Sequence, residues 1–267
     1  MNNIVSNFEQ ILSFGRQYGL PVAKKKAILR EYLQTKILDL LYQDIDSSGF
    51  VFVGGTSLRL LYGLNRFSED LDFDLNNSES KWIDQMVDKI CDQLKKQNIG
   101  LDLYRNETKN RIYYEFRFLD LLFELGLSRQ IGEKLTIKLD YETYWKKQDR
   151  QVKLINRYGY LVRAVSISLD QHLVQKLVAY LERRQTQPRD IYDIVWLKAQ
   201  GAEIDWQYVN NNGMKKNIVD RVINKFERER SKLKTYQARL APFLIDESHI
   251  DKLDLLSDLF DVKLNKR

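Results

Sequence analysis

One short apolar run that stops at two glycines constrains this chain more than any other feature. Phe50-Val51-Phe52-Val53 is apolar throughout, the mark of a buried strand. Gly54-Gly55 follows at once, and Thr56 is placed to cap a helix over residues 57–64. Glycine lets backbone approach a ligand closely. A helix N-terminus turns N–H groups and a positive dipole toward an anion. A strand, a glycine turn and a helix start therefore make half of a phosphate site.

Divalent metal would supply the other half. Leu71-Asp72-Phe73-Asp74-Leu75 alternates apolar and acidic residues, as a half-buried strand does. Asp70 and Asp72 are two apart, so on an extended strand they project from one face. Carboxylates crowded on one face repel, and a hard cation such as Mg²⁺ (or Mn²⁺) relieves that repulsion. In two-metal sites paired ions clamp the attacking and leaving oxygens of a displacement. Taken alone, Gly-Gly before a helix is a common turn and Asp-x-Asp a common exposed face. Their combination, with thirteen residues between Thr56 and Asp70, is far more specific.

Composition removes several alternatives. The 267 residues carry 43 Lys and Arg against 37 Asp and Glu, a net +6, with 43% apolar residues: a globular balance that permits a nucleic-acid partner without requiring one. The one cysteine, Cys91, excludes an intramolecular disulfide and a Cys-rich zinc site. With only His172 and His249, a multi-His metal centre is excluded as well. No Ser/His/Asp arrangement is evident, and His172 reads as structural or surface. Residues 1–10 lack the basic and apolar regions of a signal peptide. No uncharged apolar run reaches the ~18 residues of a membrane helix, so a cytoplasmic location with no membrane contact is expected.

Three prolines, Pro21, Pro188 and Pro242, leave room for long helices. Helical periodicity covers residues 3–18, 22–46 and 79–97, with Ile28, Leu29, Leu33, Ile37, Leu38 and Leu41 in one stripe. Strands are expected at 111–118 and 134–141; the rest of 120–163 has no clear period. From residue 168 onward helices are expected at 169–184, 188–200, 205–212, 214–240 and 246–263. The composition shift near residue 165 suggests two domains, 1–165 and 166–267. Charge is unevenly spread. Residues 214–240 hold nine Lys and Arg against three acids, and residues 16–36 six against one. Residues 244–261 hold six acids against one lysine. A basic helix near 214–240 could track a nucleic-acid backbone or be a solvated face.

The string Gly54-Gly55-Thr56-Ser57-Leu58-Arg59-Leu60-Leu61-Tyr62-Gly63, with Arg66-Phe67-Ser68-Glu69-Asp70-Leu71-Asp72-Phe73, closely resembles the AbiEii/AbiGii toxin family. These are polymerase-β-like nucleotidyltransferases of phage abortive-infection and type IV toxin–antitoxin systems. The resemblance covers most of residues 50–200. It implies an α+β fold: a nucleotidyltransferase core, a mixed sheet with flanking helices, followed by an α-helical C-terminal domain. The family spacing selects Asp70 and Asp72 as the metal pair, with Asp74 two residues too far. A third carboxylate on a later strand orients or deprotonates the acceptor hydroxyl in such enzymes, and Asp140, between Leu139 and Tyr141, fits. Gly54, Gly55, Thr56 and Ser57 would cradle the phosphates of an NTP.

The resemblance extends into the helical half. His172-Leu173-Val174-Gln175-Lys176-Leu177 is followed by Pro188-Arg189-Asp190-Ile191-Tyr192-Asp193. Lys176 would neutralise the triphosphate or leaving pyrophosphate, and Arg189 would hold a phosphate or pair with an Asp. Asp190 and Asp193 share a helical face, with Pro188 in its first turn. Without the resemblance, a mid-helix Lys is usually solvated and first-turn acids simply favour the helix dipole. The implied activity is nucleotide transfer to a host acceptor, with the tRNA 3′ end as the example it suggests, restrained by an antitoxin. Two other readings stay open: a non-catalytic RNA-binding or scaffold protein of the same fold, and another Asp-x-Asp enzyme. A phosphatase motif would continue with Thr or Val after one residue, where this strand has Phe73-Asp74.

Overall fold

A computed structural model describes residues 3–75, 80–108 and 111–260. Helices α1 (Asn3–Ser6), α2 (Phe8–Gln17) and α3 (Lys25–Tyr42) come first. They are followed by β1 (Phe50–Val53), α4 (Gly54–Tyr62), β2 (Leu71–Leu75), α5 (Ser80–Lys96), β3 (Asp102–Thr108) and β4 (Arg111–Phe118). Then come α6 (Leu121–Glu124), β5 (Leu135–Glu142), β6 (Arg150–Arg157) and β7 (Tyr160–Ile167). The helical remainder is α7 (Leu169–Glu182), α8 (Pro188–Ala199), α9 (Trp206–Asn211), α10 (Ile218–Glu229) and α11 (Leu233–Leu240). The strands form one mixed sheet in the order β3-β4-β5-β2-β1-β7-β6. The α+β class and mixed sheet with flanking helices are as expected.

Two compact units divide the chain. The first takes the chain up to Gly63, Phe67–Tyr144 and Val152–Ser166; the second takes Leu64–Arg66, Trp145–Gln151 and the chain from Ile167 onward. Those two short excursions into the second unit have no compositional mark. In the first unit, β1 is buried at all four residues because it is an inner strand, antiparallel to β2 and parallel to β7. One face of β1 and β2 is aromatic. Phe73 meets Phe50 and Phe52 at centroid distances of 5.3 and 5.4 Å, and Trp82 of α5 lies 4.9 Å from Phe50. This packing holds the even-numbered residues of β2, Asp72 and Asp74, on the opposite face.

The apolar stripe of α3 is buried as expected, but so are Glu31, Gln34, Thr35 and Lys36. Each has a partner. Arg59 donates to Glu31 at 2.8 Å, and the Tyr158 hydroxyl donates to the same carboxylate at 3.1 Å. Thr35 bonds the Glu31 carbonyl, and Lys36 donates to the Tyr160 hydroxyl at 2.9 Å. The helix expected over 22–46 is shorter, with 3-10 turns at Val22–Lys24 and Ile45–Gly49. The expected helix over 214–240 is broken by a 3-10 turn at Arg230–Lys232. The segment expected as a helix over 246–263 forms 3-10 turns at Glu247–Leu255 and Asp258–Phe260; its last residues, with Asp261, lie outside the described residues. Residue 79 of the expected 79–97 helix also lies outside them.

The second unit is organised around a buried charge cluster. Arg66 grips Asp193 with two bonds of 2.7 and 2.6 Å, and both side chains are almost wholly buried. Lys176 lies 2.9 Å from the same carboxylate and 3.3 Å from Asp190, and Arg183 closes on Asp190 at 3.1 Å. Burial alone would raise the Asp193 carboxyl, but the charges of Arg66 and Lys176 outweigh it and hold it below the ordinary carboxylate range. His172, buried beside the cluster, is lowered to about 3 by desolvation and then by Lys176, so it is a neutral core residue.

Breaking a buried ion pair strands the remaining charge, at about 3–5 kcal/mol. Asp193→Asn is expected to lower unfolding stability by that amount in urea denaturation at neutral pH. Because the folded carboxyl is depressed, its contribution is complete above the unfolded value and is lost as pH falls through the folded one. The loss of stability on acidification should therefore be shallower in Asp193→Asn than in the wild type; equal slopes would refute this assignment.

Candidate active site

The chain leaves β1 through Gly54, whose φ of +76° lies in the left-handed region. A Cβ at this position would stand only 2.9 Å from Asp72 Cγ, with the carboxylate oxygen nearer still. Glycine is required both by backbone conformation and by the close approach of Asp72. Helix α4 begins at Gly54, three residues before the expected start, with Val53 at the N-cap position and no side-chain cap. The first-turn N–H groups have no carbonyl a turn behind them, so they face the region where the Asp72 carboxylate stands.

Thr56 is not the helix cap. Its hydroxyl donates to the Asp70 carbonyl at 2.5 Å. Two α3 side chains extend the same restraint: Gln34 donates to the Ser68 carbonyl at 3.2 Å, and Arg30 to the Glu69 carboxylate at 3.1 Å. Three consecutive residues before β2 are thus tied down by three side chains. Gln34 and Arg30 were not expected from sequence; their spacing of four on α3 is the only linear signal they leave. Asp70 immediately precedes β2 rather than lying within it, and Asp70 and Asp72 are both half-buried.

Asp140 stands beside Asp72. The two are register partners on the parallel strands β2 and β5, so their side chains share the face opposite the aromatic core. Asp74 and Glu142 are the next pair along the same strands, and Asp74 is buried. Lys138 donates to Asp140 Oδ2 at 2.9 Å. Among the described residues no three His, Cys, Asp or Glu side chains converge closely enough to cage an ion by themselves. Mg²⁺ does not need such a cage: it is usually held by one or two carboxylates with substrate phosphates and water. Hard oxygen donors beside a helix N-terminus suit that mode of binding.

The remaining expected site residues are distributed as follows. Gly55 and Ser57 are buried in α4, and the Ser57 hydroxyl meets Ser166 at 3.0 Å while Ser166 bonds the Phe52 carbonyl. The Ser57 hydroxyl therefore bonds inward, and with Val53 as N-cap the Ser57 N–H is already one turn into α4, so Gly54, Gly55 and Thr56 carry the first-turn N–H groups suited to an anion. Lys176 and Asp190, expected in separate roles, are each other's partners in the second unit. Arg189 lies at the start of α8 with its guanidinium 4.5 Å from the Phe243 ring.

A glycine-led helix N-terminus set against Asp-x-Asp, with a further carboxylate in register on the neighbouring strand of a mixed sheet, has the parts of a nucleotidyltransferase. Solved structures share this fold. The Helicobacter pylori protein JHP933 superposes with a TM-score of 0.53 at 20% identity, covering 90% of this chain and 94% of its own. An H. pylori protein provisionally assigned as a nucleotidyltransferase superposes at 0.54 with 21% identity, covering 90% and 96%. A search of proteins with curated descriptions returns no significant match. The family model for the AbiEii nucleotidyl transferase toxin of type IV toxin–antitoxin systems matches residues 36–264. The chain belongs to that family and is a nucleotidyltransferase toxin. Among the described residues no helix is long and apolar enough to cross a membrane.

The steric argument at Gly54 has a direct consequence. Gly54→Ala places a methyl group against Asp72 and forces a side chain into positive φ, a strain of about 1–3 kcal/mol. It is expected to lower stability in urea denaturation by that amount and to abolish nucleotide transfer. Gly63→Ala, also at positive φ but with nothing within 4 Å of its Cβ, is the control: it should show the stability loss alone.

Proposed function

We propose that the chain transfers a nucleotide from an NTP to the 3′ end of a host RNA, with tRNA as the acceptor, and so inhibits growth until an antitoxin counteracts it. The observation that carries this reading is the Asp72 carboxylate, set against Gly54 at the first turn of α4 and in register with Asp140. Asp70 and Asp72 would hold Mg²⁺ or Mn²⁺, which when bound neutralises phosphate charge. The first-turn N–H groups of Gly54, Gly55 and Thr56, with Ser57 next along the helix, receive phosphate oxygens at the positive end of α4. Asp140 accepts the proton of the attacking hydroxyl. The Thr56, Gln34 and Arg30 restraints keep Asp70 from moving as charge develops, which is where positioning contributes most to catalysis. Lys176, Asp190 and Arg189 retain, as part of this proposal, the roles that the family resemblance implies. The site is proposed to work in the cytoplasm, where NTP and tRNA are found together.

An RNA acceptor is supported by the basic stretch 214–240. Lys215, Lys216, Arg221, Arg228, Arg230, Lys232 and Lys234 are all exposed, so this run supplies solvent-facing charge for a phosphate backbone. Lys225 and Arg239 are turned inward onto the carbonyls of Tyr180 and Thr186.

The test incubates purified protein with total tRNA and each labelled NTP in Mg²⁺. Label should appear on RNA, and Asp72→Asn should reduce transfer by about 10³-fold, the equivalent of several kcal/mol of charge stabilisation. Chelation should abolish the activity and Mg²⁺ restore it. If no acceptor, RNA or protein, is labelled, and Asp70→Ala is as toxic in cells as the wild type, the enzymatic reading is lost.

A further inference from the structure

The face of the sheet that carries Asp72 and Asp140 continues across β4 and β3, where it holds side chains that phosphate and metal binding leave unused. Register pairing sets them in rows. Asp72, Asp140, Tyr113 and Asn106 are successive partners across β2, β5, β4 and β3. The next row holds Lys138, Glu115 and Tyr104, and the third Thr136, Arg117 and Asp102. On β4 and β5 the intervening residues Tyr114, Phe116, Phe118, Leu135, Ile137 and Leu139 are buried, while Tyr113, Glu115, Arg117, Thr136 and Lys138 are part-exposed. The alternation therefore turns the polar rows outward.

Each tyrosine of these rows is accompanied by a cation. The Lys138 ammonium lies 4.2 Å from the Tyr113 ring centroid, and the Arg117 guanidinium 4.0 Å from that of Tyr104. Tyr104 is 39% exposed. Each cation lies over its ring, and shifting it onto a phosphate would open that ring to a base, so the pair matches the two parts that every nucleotide offers, a π-face and a phosphate. Position supplies the second argument. Directly beside Asp72, at the end of the neighbouring β1, lies the N-terminus of α4, where an NTP's phosphates belong. An acceptor hydroxyl at Asp140 must then bring the rest of its molecule over β4 and β3, and the first side chain it meets in that row is Tyr113.

We propose that this face is the acceptor subsite, and that its occupant is the single-stranded 3′ end of an RNA. The terminal base stacks on Tyr113 and the preceding one reaches toward Tyr104, while Lys138 and Arg117 meet the linking phosphates. Lys138 also bonds Asp140, so the residue that receives the acceptor's phosphate is the one that holds the carboxylate beside its hydroxyl. This inference rests on the assignment of Asp72 and Asp140 as the reacting carboxylates.

The measurement is fluorescence anisotropy of a 5′-labelled single-stranded RNA of about eight nucleotides, within the site size of such platforms, without NTP and over a range of salt. Loss of one base stack, ~1–3 kcal/mol, is about a 5- to 150-fold weakening. Tyr113→Ala should show it, while Tyr113→Phe, which keeps the ring, should bind as the wild type does. Lys138→Ala should reduce the slope of log affinity against log salt by about one phosphate contact. Thermal melts establish that each variant folds, and Tyr104→Ala replaces Tyr113→Ala if the latter does not. The proposal is overturned if the alanine variant binds as tightly as the wild type, if Tyr113→Phe loses as much as Tyr113→Ala, or if the wild type fails to bind the RNA. Asp72→Asn separates the two assignments. Inactive but RNA-binding Asp72→Asn beside an unaffected Tyr113→Ala removes the platform and leaves the carboxylates in place. Fully active Asp72→Asn removes the carboxylate assignment on which the platform rests.

Discussion

The Asp72 carboxylate and the Gly54 backbone occupy space that no side chain could share, and much of the first unit follows from that contact. Positive φ at Gly54 turns the chain from β1 directly into α4 without a capping side chain. The helix axis is thereby aimed so that its N–H groups open beside Asp72. Thr56, released from capping, is left one turn along with a hydroxyl that reaches the Asp70 carbonyl. One close approach thus sets the helix start, the direction of its dipole and the restraint on the neighbouring carboxylate. Glycine at position 54 fixes a geometry here, although glycine elsewhere is a source of conformational freedom.

The two units handle concentrated charge in opposite ways. Around Asp193 the chain supplies its own cations: Arg66 with two bonds, Lys176 shared with Asp190, and Arg183 beyond. The charges of this set are largely neutralised within the chain, and the depressed Asp193 carboxyl records it. On the sheet, Asp72, Asp74, Asp140 and Glu142 are packed in register on one face, and the cation bonded among them, Lys138, reaches Asp140 from its own strand. Like charges so arranged gain when a hard cation arrives. The sheet cluster gains from an external cation, whereas the cluster around Asp193 is already paired by cations of the chain itself.

Legibility from sequence followed the range of the interactions involved. Phe50–Val53, Leu71–Leu75 and the Pro188 start of α8 were readable because burial on consecutive residues, alternation and a fixed proline φ all act within a few residues. The combination of glycine turn and Asp-x-Asp was readable because its chemistry depends on spacing along the chain. Thr56 was misread because a threonine before a helical run is a capping signal, and its true partner lies fourteen residues away. Gln34 and Arg30 were missed because they act across the fold on residues 68 and 69. Strands β6 and β7 were missed because Val152, Leu154 and Leu161 are 60–65% exposed, so apolar residues occupy both faces and erase the alternation.

Charge runs show the same boundary from the other side. Residues 16–36 and 214–240 look alike when cations are counted, yet they are different physical objects. In the first, Lys36 is buried against Tyr160, Arg30 is committed to Glu69, and Lys26 pairs with Glu133, so much of the apparent surplus holds the fold together. In the second, seven of nine cations remain exposed. A buried cation held by a protein partner must give up that partner to bind a phosphate, whereas an exposed one mainly exchanges water, counterions and solvent-exposed contacts such as that of Arg230 with Glu227. The net +6 therefore says little about affinity for RNA. What matters is how many of those charges folding leaves in solvent, and on that measure the later run, with seven exposed cations, offers more than the earlier one, where Arg16, Lys25 and Lys26 are the exposed three.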